Sequence, residues 1–209
     1  MRVVLKPDVI AVIGESPDDM AALRAFAARG LDRVFALKMS DTVAFSLHDL
    51  GPRAEACATP INVISSNAAY AIIANLAHTP FEFDGCRYAS VEGFWQGLKT
   101  DDPLERARLA ALHGPRAKAA TKGWAVPERF VFAEREVRSG TADHWDLMYA
   151  ACREKFRQNE RARRVLHSTG TRPLQHRVRR DSRTIPGVVM ADIWMRLRAR
   201  LNDEDRSSA

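Results

Sequence analysis

From residue 90 to residue 99 the chain reads Ser-Val-Glu-Gly-Phe-Trp-Gln-Gly-Leu-Lys, and the order of residue types fits only a helical period. Wound at 3.6 residues per turn, Val91, Phe94, Trp95 and Leu98 fall on one apolar stripe, while Glu92, Gln96 and Lys99 line the stripe beside it. The spacing predicts a helix capped by Ser90, with a carboxylate, an amide and an amine along one edge and the core along the other. Gly93 and Gly97 lie inside it, although a helical glycine costs about 1 kcal/mol relative to alanine. Close approach by another backbone or by a ligand is the expected reason. An amphipathic helix with a merely solvated polar edge is the plain alternative.

A chain of 209 residues with 46% hydrophobic composition can bury one large core, or one core plus a smaller unit, which excludes general disorder. A net charge of +6 and a pI near 9.6 point to anionic partners such as phosphates, nucleotides or nucleic acid. Cys57, Cys86 and Cys152 are odd in number and far apart, so the expectation is a reducing cytoplasm, with neither a disulfide framework nor a structural zinc site. The pattern contains no H-E-x-x-H, paired cysteines or Asp-rich loop, and no metal or cofactor is expected. The apolar run at residues 9–13 is too short to span a bilayer, so a soluble, unprocessed chain without a membrane partner is expected. Oligomeric state is not legible.

The first 60 residues read as a small α/β unit with a linker. A strand at 9–13 ends at Gly14, and Ser16-Pro17-Asp18-Asp19 opens a helix running to Gly30. Strands at 34–37 and 43–47 follow, and 51–60 read as linker. Gly14 before a helix start can hold a phosphate, but acidic Glu15, Asp18 and Asp19 oppose one, and a structural turn is the favoured reading. From residue 61 the pattern gives a strand at 61–64, a hairpin turning at Asp84-Gly85, and helices at 103–112, 116–121, 143–168 and 191–201. Met190, Ile193, Trp194, Leu197 and Leu201 form the apolar stripe of the last helix, and 203–209 reads as a disordered tail.

The residues 61–201 resemble a known family. The order Asn75, Pro80-Phe81, Asp84-Gly85, the segment 90–99, Lys155-Phe156-Arg157-Gln158-Asn159, Thr169-Gly170, Leu174 and Asp181 is similar to that of the NADAR, or YbiA-like, superfamily. The resemblance implies a mainly α fold with short β-strands and hydrolysis of a ribosyl C–N bond. Glu92, Gln96 and Lys99 match the family's S-E-H-Y-F-Q-A-Q-K motif, Asn75 its S-N-F motif, and Asp181 the aspartate before its Trp-Gly pair. Departures are Gly93 for a histidine, His176 where glutamate is common, Trp124 for an arginine after Gly123, and the absence of Trp-Gly after Asp181.

Cleavage of an N-glycosidic bond builds positive charge on the sugar, which a carboxylate can stabilise while an acid helps the base depart. Glu92, Asp181 and Lys99 are therefore the catalytic candidates, Lys99 as phosphate ligand, partner of Glu92 or Schiff-base amine. Asn75, Trp95, Gln96, Trp124, His176, Arg177, Arg179 and Arg180 are the candidates for substrate binding, the arginines through forked contacts to phosphate. Three functions are open: an N-glycosidase removing ADP-ribose from guanine in nucleic acid or nucleoside, the leading one; a glycosidase of phosphorylated ribosylamine intermediates of riboflavin synthesis; and an inactive nucleotide-binding module. The partner in each is an ADP-ribose-containing or ribosyl-phosphate compound, with ADP-ribosylated DNA or RNA included in the first.

Overall fold

The computed structural model describes residues 1–5, 10–28, 33–39, 45–52 and 58–207. It divides into two compact units, Met1–Thr59 and Pro60–Ala209.

In the first unit β1 (Arg2–Leu5) pairs antiparallel with β2 (Ile10–Ile13), α1 covers Pro17–Ala27, and β3 (Arg33–Met39) pairs antiparallel with β4 (Phe45–Pro52). Strand β1 is absent from the expectation: its Arg2-Val3-Val4-Leu5 lacks both apolar/polar alternation and a preceding turn signal. Ser16 caps α1 in a reciprocal box with Asp19, whose carboxylate also takes the Glu15 amide at 3.1 Å. Those amides are thus occupied locally. A Cβ on Gly14 would lie 2.8 Å from the Met20 sulfur, which gives this glycine a packing reason. Gly51 and Pro52, expected in the linker, close β4 instead; Pro52 faces Arg33 at the strand end, where its missing N–H costs little. Residues 6–9, 29–32, 40–44 and 53–57, which include the expected end of the helix and most of the linker, lie outside the described residues.

The second unit is helical around short strand pairs. Strand β5 (Ile61–Asn62) runs parallel to β10 (Leu174–Gln175), and the hairpin β6 (Phe81–Phe83) to β7 (Cys86–Tyr88) turns at Asp84 and Gly85 with φ of 50° and 70°. Then come α2 (Val91–Gly97), α3 (Pro103–Ala110), α4 (Gly114–Ala120), the hairpin β8 (Arg129–Phe132) to β9 (Arg135–Arg138), α5 (Ala142–Gln158), α6 (Glu160–Ser168) and α7 (Gly187–Ser207). Val91, Phe94 and Leu98 from α2 join Met148, Cys152 and Phe156 of α5, Leu166 of α6, and Trp194 and Leu197 of α7 in one core. Trp95 lies partly buried at the edge of that core.

The expected helix over 143–168 is two helices, because Asn159 leaves the helical region at φ −120° and ψ 92°. Its side-chain amide donates to the carbonyls of Lys155 and Pro80, both at 2.9 Å, closing α5 while reaching the residue that precedes β6. The last helix starts before residue 191 and continues to Ser207, so residues 203–207 are helical where a disordered tail was expected. Arg200 pairs with Glu204 at 3.2 Å across one turn and supports that extension. Among the described residues no helix is long and apolar enough to cross a membrane.

Candidate active site

Ser90 caps α2 by accepting the Gly93 amide at 2.9 Å, and its hydroxyl donates to the Leu112 carbonyl at 2.8 Å. The cap pins the start of α2 to the end of α3 so tightly that a Cβ on Gly93 would lie 2.6 Å from the Leu112 carbonyl and 2.8 Å from that of Leu109. The close backbone approach expected here is therefore present at Gly93. A Cβ on Gly97 would lie 3.8 Å from the Arg106 carbonyl oxygen, an ordinary contact.

Along the polar edge of α2 the expected residues meet. Gln96 Nε2 donates to Glu92 Oε1 at 2.6 Å, Thr121 Oγ1 donates to Gln96 Oε1, and Lys99 Nζ donates to Thr121 Oγ1 at 3.3 Å. Gln96 and Thr121 are buried, while Glu92 and Lys99 are half-buried at the two ends of the chain. Burial pushes the Lys99 pKa down from the usual lysine range; Glu92 opposes that shift and Lys118 adds to it. The Lys99 ammonium stands 5.7 Å from the centre of the Trp95 ring, whose other contacts are the rings of His144 at 4.7 Å and Phe130 at 6.5 Å. His144 is fully buried with its pKa pushed down to about 4 by desolvation, and Nδ1 accepts the Gly140 amide at 3.0 Å, which suits a neutral imidazole.

Asn75 reaches the same helix through its backbone, its carbonyl accepting the Glu92 amide at 2.9 Å. Its side chain is engaged with Met190 of α7, 3.5 Å away, and with the Cys152 thiol at 4.0 Å. Lys155 holds the preceding residues: it is fully buried, and Nζ donates to the carbonyls of Ile73 at 2.8 Å and Ala74 at 2.9 Å. Gln158 does the same further on, exchanging hydrogen bonds of 2.7 and 2.8 Å with the Glu82 backbone as a neighbouring strand would. The run Lys155 to Asn159 is thus a clamp on residues 73–82, and it delivers Asn75 to the start of α2.

Asp181 acts at the start of α7. Its Oδ1 accepts the amides of Gly187 and Ser182, each at 2.9 Å, and a Cβ on Gly187 would lie 2.1 Å from the His176 carbonyl. One oxygen of this carboxylate is therefore committed to capping, while the first turn of α7 touches Asn75 through Met190. His176 donates from Nδ1 to the Val63 carbonyl at 2.7 Å and sets its ring edge-on to Trp194, tying β10 to β5. Arg177 exchanges backbone bonds with the Asn62 side chain at 2.8 and 3.2 Å.

Arg179 and Arg180 line an open cleft of about 340 Å³ with Val178 and, from α4, Lys118. Lys118 belongs to both features, since it faces this cleft and lies close enough to Lys99 to lower its pKa. Trp124 is 40% exposed on the turn that follows Thr121, its amide donating to the Thr121 carbonyl at 3.0 Å. Thr121, Lys118, His144 and the buried Lys155 join the candidate site beyond the residues expected from the sequence. Of these only Lys155 lies in a motif of the family resemblance, the run from Lys155 to Asn159. Among the described residues no three His, Cys, Asp or Glu side chains are grouped to hold a metal ion.

No protein-family model and no curated protein matches the chain. Among solved structures it is similar to the NMR structure of the E. coli protein YbiA, with a TM-score of 0.54 and 23% sequence identity over 70% of this chain and 87% of that one. The likeness is one of fold, which is YbiA-like: helices with short strands.

Proposed function

We propose that the chain is an N-glycosidase of the NADAR type, hydrolysing a C–N bond between a phosphorylated ribosyl group and a base. The observation that carries the reading is the chain of hydrogen bonds from Lys99 through Thr121 and Gln96 to Glu92, beside the cleft of Lys118, Arg179 and Arg180. Glu92 Oε1 is oriented by Gln96, so the carboxylate meets the developing oxocarbenium charge without rearranging. It stabilises the sugar or takes a proton from the attacking water. Lys99, desolvated and less basic than a surface lysine, supplies positive charge toward a phosphate or a nucleophilic amine toward an opened ribose. The cleft cations hold the phosphates, and exposed Trp124 offers a face for a base. Asp181 is proposed as the carboxylate that sets the first turn of α7, and through it Asn75.

ADP-ribose on guanine is the preferred substrate, because a pyrophosphate uses the several cations of the cleft. The second reading is a binding module without turnover, favoured by the use of Asp181 Oδ1 as a helix cap. Incubation with ADP-ribosyl-guanosine, ADP-ribosylated DNA and a phosphorylated ribosylamine, followed by mass spectrometry, tests both. Free ADP-ribose together with guanosine, or with DNA whose guanine is restored, supports the preferred reading. Cleavage of the ribosylamine alone moves the substrate to riboflavin intermediates, and binding of ADP-ribose without any product favours the module.

A further inference from the structure

The hydrogen bonds between Lys99 and Glu92 have only one consistent direction. A lysine ammonium can only donate and an ionised carboxylate can only accept, whereas a hydroxyl and an amide each do both. With Lys99 donating to Thr121, the hydroxyl proton must go to Gln96 Oε1, and the amide must turn Nε2 toward Glu92. The charged ends thus set the direction of the row, and it is relayed between them through Thr121, a buried residue at the end of α4 rather than on α2.

We infer that Thr121 is the positioning residue of this site: its hydroxyl couples the charge on Lys99 to the orientation of the Glu92 carboxylate. The inference rests on the N-glycosidase reading for its effect on turnover, but its effect on Lys99 stands in the free protein. Without the hydroxyl, the ammonium loses an acceptor and Gln96 Oε1 loses its donor. The amide is then held at its Nε2 end by Glu92 alone, so amide and carboxylate lose the second anchor that fixes their common orientation. The charged groups that face Lys99 are Glu92 on α2, the helix Lys99 follows, and Lys118 on α4, and neither is altered by a change at 121.

Three variants test it. Thr121→Val keeps the shape and removes the hydroxyl, Thr121→Ala is read in its place should the valine variant fail to fold, and Thr121→Ser restores the hydroxyl. In the free protein, NMR titration of the Lys99 side chain should show the midpoint falling by about 0.5 unit or more in the variant without a hydroxyl and returning in serine. With an ADP-ribosyl-guanosine substrate, kcat should fall about tenfold or more at little change in KM, and serine should recover most of it. An unchanged Lys99 midpoint without the hydroxyl overturns the inference, as does a loss that serine does not repair. If the parent protein turns over none of the ribosyl substrates, the N-glycosidase reading falls, while the titration still decides the role of Thr121.

Discussion

Lys155 Nζ donates to the carbonyl of Ala74 at 2.9 Å, both residues being buried, and the residue after Ala74 is the Asn75 that receives the Glu92 amide. A cation buried this deeply is costly, and desolvation brings the Lys155 pKa down to about 7. The same burial pushes the neighbouring Cys152 thiol up to about 12.

The sign of the consequence follows from linkage. Between about 7 and the ordinary lysine value of 10.5, the unfolded chain holds a proton on Lys155 that the folded one has released. Folding stability contributed by this residue therefore rises with pH through that window, by up to about 1.4 kcal/mol per pH unit, and is flat below it. Lys155→Met should remove that rise from denaturant titrations run at pH 6 to 10. It should also cost about 2–4 kcal/mol near neutrality, since the Ile73 and Ala74 carbonyls lose their donor. An identical pH slope in the parent and the variant would contradict the assignment.

Gly93 should tolerate no side chain. In Gly93→Ala the new methyl would press on the Leu109 and Leu112 carbonyls, two backbone atoms that cannot swing aside as a side-chain tip would. A loss of roughly 2–3 kcal/mol is expected by thermal or denaturant unfolding, despite the better helix propensity of alanine. Gly97→Ala, with its nearest neighbour at 3.8 Å, should be neutral or slightly stabilising. Equal behaviour of the two variants would mean that α2 does not approach α3 as described.

These glycines mark where the fold was legible in the sequence and where it was not. The helix at 90–99 and the last helix announce themselves by period, and the first hairpin by Asp84-Gly85. The second hairpin turns at Ala133 and Glu134 with φ of 48° and 61°, and neither residue type signals a left-handed turn, so β8 and β9 were missed. The break at Asn159 was hidden because neither Gly nor Pro stands anywhere from residue 142 to residue 168; the cause is a bond to Pro80, 79 positions earlier. The site divides in the same way. Glu92 and Gln96 share one edge of α2 with Lys99 in the turn that follows, whereas Thr121 and Lys118 arrive through space from α4, and no local pattern records that meeting.

The cleft separates two groups of arginines that the sequence presents together. Arg179→Ala with Arg180→Ala, or Lys118→Ala, should weaken binding of an ADP-ribosylated ligand and reduce its dependence on salt, because these side chains line the cleft. Arg177→Ala should do neither, because Arg177 does not line the cleft and holds Asn62 through its backbone. Calorimetric binding at two salt concentrations distinguishes the variants. If Arg177 and the cleft residues contribute alike, the basic segment acts as a diffuse solvated face.

Glu92→Gln is the sharpest test of the chemistry. The amide keeps an oxygen for the Gln96 Nε2–H and leaves the Val91, Phe94 and Leu98 packing untouched, so the melting temperature should hardly move. In the proposed reaction, what disappears is the negative charge that would face the developing oxocarbenium centre. Turnover should fall by roughly a hundredfold or more with ligand binding largely kept, the pattern of a group used in the transition state rather than the ground state. The result is read against Thr121→Val: loss of the carboxylate should cost more than loss of its orientation. A Glu92→Gln protein that cleaves ribosyl substrates at nearly the parent rate would remove Glu92 from the reaction, and would leave the hydrogen-bonded row as a brace between α2 and α4.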